Sequence, residues 1–169
     1  MAAGPTYEPI ATQTLTGTAT TVTFSSISGA YTDLVLVVQA SFDTTGDLRF
    51  RLNGDTGSNY STTFLYGDGT SAASVRASNA TSGNGDSYGQ VSTTLGQSNQ
   101  IIHFINYSNV TTYKTVLVRA NNASSGVDAI VNLWRSTSAI TSISMAKNSL
   151  FGGTWQIGST FSLYGIAAA

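Results

Sequence analysis

Leu48-Arg49-Phe50-Arg51-Leu52 sets an apolar side chain at every second position, with an arginine between each pair. A strand has that period, because successive side chains leave a pleated backbone on opposite faces. Upstream, Val22-Thr23-Phe24 and Thr32-Asp33-Leu34-Val35-Leu36-Val37-Val38 repeat the β-branched, period-two character. Downstream, residues 62–66, 71–77, 90–95, 101–107, 113–120, 129–135, 140–145 and 161–166 are further strand candidates, with one more near 12–15. Turn signals punctuate them at Ser28-Gly29, Thr45-Gly46, Asn53-Gly54-Asp55, Gly67-Asp68-Gly69, Gly83-Asn84-Gly85, Asn121-Asn122 and Gly152-Gly153. Good helix formers are scarce, with one glutamate and two lysines, and no window sustains apolar spacing at i, i+3, i+4 and i+7. The pattern predicts an all-β chain, an antiparallel β-sandwich of jelly-roll type spanning residues 10–169 as one domain, with its longest loop over 78–90.

The composition is polar without being ionic. Only 9% of the 169 residues are charged against 41% hydrophobic, and Ser plus Thr number 48. Typical domains carry roughly 25% charge. A net charge of -1 and seven scattered basic residues leave no electrostatic footprint for nucleic acid or an anionic membrane surface. The longest apolar run, Leu34 to Val38, is far below the roughly 20 residues of a spanning helix. The first residues lack a basic and apolar leader, so synthesis in the cytoplasm is expected. Both prolines, Pro5 and Pro9, fall in the first nine residues, which reads as an extended N-terminal arm over 1–9 that docks on a partner, with Pro5, Tyr7 and Pro9 as its contact residues.

No catalytic constellation emerges. Gly67-Asp68-Gly69-Thr70-Ser71-Ala72 fits a dinucleotide fingerprint in letters, but no helix-forming stretch follows, so a hairpin turn is expected there. Asn53 to Asn59 offers oxygen ligands, yet Gly57 sits where a calcium loop wants an amide or carboxylate and no glutamate closes it. His103, the sole histidine, lies in an apolar strand and reads as a packed core or interface residue rather than a general base. The sole glutamate lies in the arm, and the aspartates sit mainly at turns. The expectation is no enzyme activity, no metal and no cofactor. Tyr60, Tyr66 and Tyr88 flank Gly-rich loops, where they fit either a partner's pocket or a stacked sugar.

Several segments carry a resemblance: Tyr7-Glu8-Pro9-Ile10-Ala11-Thr12, Phe24-Ser25-Ser26-Ile27, Tyr31-Thr32-Asp33-Leu34, Phe50 to Ser61 with its Asn-Gly-Asp-Thr-Gly-Ser-Asn core, Leu133-Trp134-Arg135-Ser136-Thr137-Ser138-Ala139-Ile140, and Phe161-Ser162-Leu163-Tyr164-Gly165-Ile166. Together they resemble a family of small β-rich structural proteins of tailed bacteriophages. The resemblance implies a virion component and brings no active-site residue. Combined with the charge-poor surface, it leads to the expectation of a capsid cement or decoration protein on the outer shell. Its partners would be the major capsid protein and copies of itself in a homotrimer. The alternative is a tail-fibre or receptor-binding module that presents Tyr60, Tyr66 and Tyr88 to host glycans. Self-association is expected on independent grounds too, since only Lys114 and Lys147 are available to blunt the edges of so many strands.

Overall fold

The computed structural model describes residues 6–148 and 152–167, which form twelve strands in two antiparallel sheets. The large sheet has the order β1 (Tyr7–Thr14), β12 (Thr160–Ile166), β3 (Asp33–Gln39), β8 (Ser98–Ile105), β9 (Lys114–Asn122), β10 (Gly126–Trp134), β5 (Tyr60–Gly67), β6 (Ala72–Ala80). The small sheet has the order β2 (Thr21–Phe24), β11 (Ile143–Lys147), β4 (Leu48–Leu52), β7 (Gly83–Asn84). The chain is therefore all-β, a sandwich as its period-two pattern predicts. From β1 to β5 it crosses between sheets at every step, whereas β5–β6 is a hairpin and β8–β9–β10 a meander within the large sheet.

Alternation builds the core. In β4, Leu48, Phe50 and Leu52 are buried while Arg49 and Arg51 point away, as the sequence requires. Leu34, Leu36 and Val38 of β3, Ile102 and Phe104 of β8, and Phe161 and Leu163 of β12 meet them from the other layer. Trp155, fully buried, bridges Ala19 and Phe42 through its backbone and packs its ring on Phe42 and Phe161.

Four expectations need correction. Residues 7–9 are not an arm: Tyr7, Glu8 and Pro9 begin β1 and pair with Ile166, Gly165 and Tyr164, while Pro5 lies outside the described residues. Proline fits there because β1 is an edge strand, and the ladder shifts register at a bulge just after Pro9. Residues 90–95 form no strand; Val91 alone bridges to Gly46. Residues 78–90 are not merely a surface loop, because they contain β7, and Asn84 and Asp86 are buried. The glycines that read as turn signals serve close approach instead: a side chain at Gly83 would overlap the Phe50 ring, and one at Gly85 would overlap Leu48. Finally, the two lysines guard no edge. Lys114 is buried and donates to the carbonyls of Thr112 and Thr137, and Lys147 is buried against Asp43, Thr44 and the Phe42 ring.

Candidate functional site

A second face of the large sheet carries the surface chemistry. The small sheet covers one side; on the other, apolar side chains alternate outward with no layer above them among the described residues. Strand β10 turns Asp128, Ile130, Asn132 and Trp134 inward and Val127, Ala129, Val131 and Leu133 outward. Its neighbours add Leu65 from β5, Leu117 from β9 and Ile101 from β8. Leu65 is 57% exposed, Val127 58%, Val131 46% and Leu117 39%, so these large apolar groups meet solvent directly. They surround a shallow depression of about 300 Å³ that Ile101, His103 and Arg119 also line.

Polar groups both interrupt and border this face, with Arg119 between Ile101 and Ala129 in its middle. His103 lies here, a third exposed, with Nε2 2.8 Å from Asp33 Oδ2, so of the two readings, packed core or interface residue, the core one is corrected. The Asp33 Oδ1 accepts the backbone N–H of Asn106, so one carboxylate anchors both the ring and the turn after β8. At one end Gln39, Asn99 and Asn121 stand side by side across β3, β8 and β9. Tyr7 and Pro9 of β1 share this side of the sheet with Ile166 and Tyr164, and Tyr7 is largely exposed.

The three tyrosines separate. Tyr60 is fully buried, with its hydroxyl accepting the Leu52 N–H at 3.0 Å, so it is a core residue and not a binding residue. Burial pushes its phenol up to about 12. It stacks near Trp134, whose indole N–H donates to Asp55 at 2.6 Å. Burial alone would raise the Asp55 carboxyl, but donors from Trp134, Asn59 and Gly57 outweigh it and hold the group below its ordinary value. The Asn53–Asn59 run thus spends its carboxylate on closing its own loop, and among the described residues no three His, Asp or Glu side chains group to hold a metal.

Tyr66 and Tyr88 do come together, their rings 4.3 Å apart and nearly parallel. Asp128 fixes the geometry by accepting the backbone N–H groups of Ser87, Tyr88 and Gly89 at 2.7–3.0 Å. Tyr88 is 42% exposed, but Tyr66 occupies one of its ring faces. Other exposed apolar groups sit in the connecting segments: Leu95, in contact with Gly158 next to exposed Ile157, at the end of the sandwich where β8 and β12 begin, and Val110 and Tyr113 at the opposite end, between β8 and β9.

Sequence reasoning missed the outer face. The signal was present in β10, where aliphatic residues hold one parity and aspartate and asparagine share the other, but a polar parity is ordinarily assigned to solvent. Compared with known proteins, the chain matches no family model and no curated relative.

Proposed function

We propose that this chain is a bacteriophage virion structural protein, a non-catalytic capsid cement or decoration protein that bridges subunits on the outer shell. One observation carries the reading: large apolar side chains are exposed on a sheet face and at both ends of a sandwich with few charges. A bridging protein needs more than one adhesive surface, and a surface of Ser, Thr, Asn and Gly is buried at less cost in side-chain entropy and desolvated charge than one of Lys and Glu. The resemblance of residues 7–166 to tailed-phage structural proteins supports the same setting. Its contacts would then be the major capsid protein and copies of itself. The glycan-binding alternative retains less support, since Tyr60 is buried and Tyr66 covers one face of Tyr88.

The test is a quantitative protein inventory of purified particles. A copy number comparable with that of the shell protein is the expected result. A copy number that is a small fraction of it supports the tail module, and absence from the particle overturns both.

A further inference from the structure

We infer that the outer face of the large sheet is a self-association surface, on which a second copy of this chain packs its own outer face to form a twofold pair. A sheet in a sandwich normally shows water its polar parity, yet here the outward parity of β10 is wholly aliphatic. Monomeric proteins rarely expose contiguous apolar patches beyond a few hundred Å². From β12 to β5 the whole face, polar positions such as Ser162 and Thr63 included, is six strands wide, about 4.8 Å each, and about seven residues long at about 3.3 Å each, or roughly 650 Å² before side-chain relief. That approaches the roughly 800 Å² per partner of a stable specific interface.

The occupant follows from charge and shape. Between β12 and β5 the face holds one carboxylate, Asp33, and one guanidinium, Arg119, while Arg76 and Arg135 stand at its border beside Val131 and Leu133. The cations lie mostly toward the border and the centre is aliphatic, so what a second copy matches is the apolar centre, which meets its own equally apolar image. An apolar centre at Leu117 and Val131, rimmed by the amides Gln39, Asn99 and Asn121, has the anatomy of a protein interface. The other candidate for self-contact, the exposed edge strand β6, is less suited. Arg76 is its middle residue, so a centred twofold strand pair would set two arginines side by side. A single flat face meeting its own image is isologous and closes as a pair, whereas a threefold ring requires a second, different surface to receive it.

The inference deepens the assembly reading but is tested on the isolated protein, so the two fail separately. Sedimentation velocity across concentration should give a species of twice 17.6 kDa for the full chain. Leu117→Lys and Val131→Lys, each checked for an unchanged thermal melt at a concentration where the wild type is monomeric, should each weaken the pair at least about tenfold, equivalent to about 1.4 kcal/mol. A wild-type monomer at all concentrations, a trimer, or a pair indifferent to both folded lysine variants would overturn the inference. A pair that behaves as expected while the chain is absent from particles would retain this surface and remove the proposed function.

Discussion

Strand β10 has two faces that reverse the usual assignment. Inward, Asn132 accepts the Thr62 hydroxyl and the Asn84 N–H at 2.8 Å each and donates to the Asn84 carbonyl, while the Asn84 amide donates to Thr62. Outward, aliphatic side chains stand in solvent. The inner polar groups are closed into a ring of hydrogen bonds that clamps β7 of the small sheet onto β10 and β5 of the large one. The outer apolar groups have no such closure within the described chain. Burial alone does not distinguish a folding surface from an assembly surface; what does is whether a side chain's bonding demands are met inside the molecule.

The largest expected effect comes from opening the inner ring. Asn132→Leu removes the acceptor of two buried donors, Thr62 and Asn84, and each orphaned group costs about 1–3 kcal/mol. A loss of about 3 kcal/mol or more is expected, read as a lower urea midpoint with an unchanged slope.

Next in size is Asp86, on the same inner side. Its Oδ1 accepts the Leu48 N–H, and its Oδ2 has no hydrogen-bond partner among the described residues. Burial first, and then the nearby Asp47 charge, push its carboxyl well above the ordinary value. The folded chain therefore keeps a proton that the unfolded chain releases above about pH 4. Stability supplied by this group is full below that value and is lost as pH rises toward the folded one, at up to about 1.4 kcal/mol per pH unit. Asp86→Asn should flatten this slope, so that its stability relative to wild type improves from about pH 5 to about pH 8 in paired urea titrations.

Where the inner and outer surfaces meet, Tyr88 rests on Tyr66 at the end of the strands. Tyr88→Ala should cost about 1 kcal/mol, the order of an aromatic pair, and leave the loop in place because Asp128 holds backbone rather than side chain. A thermal melt, with hydrogen exchange at the Gly89 amide, checks both halves of the expectation.

These contrasts explain how far the sequence could be read. Strands such as β4 were legible to the residue because apolar and charged groups alternate there and both obey the ordinary rule. The glycine-rich stretch 78–90 was not, because its Ser, Asn and Gly are the residues of a loop, and only the fold places Asn84 beside Thr62 and Asn132. Tyr60 read as a loop tyrosine because it follows Gly57 and Asn59, yet it opens β5 on the inward parity. Tyr7 and Pro9 read as an arm because proline ends most strands, and the partner that admits them, β12, lies at the other end of the chain. Local pattern fixes period; long-range pairing fixes which parity is inside.

The smallest effect is the most discriminating. Val131 and Asn132 are adjacent in sequence and opposite in face, so reversed polarity at each tests the comparison within one dipeptide. Val131→Thr keeps the β-branched shape that a strand favours and replaces a methyl by a hydroxyl that water can satisfy. Its effect on unfolding free energy at a concentration where the chain is monomeric should lie within about 0.5 kcal/mol, as for exposed positions generally. At higher concentration the same hydroxyl must be desolvated against a second copy, so the melting temperature of the variant should fall behind wild type as protein concentration rises. A loss of stability at low concentration approaching that of Asn132→Leu would mean that the outer face is already covered by this chain's own residues. Equal behaviour of variant and wild type at every concentration would mean that Val131 meets only water, and the reversed polarity of β10 would then require another cause.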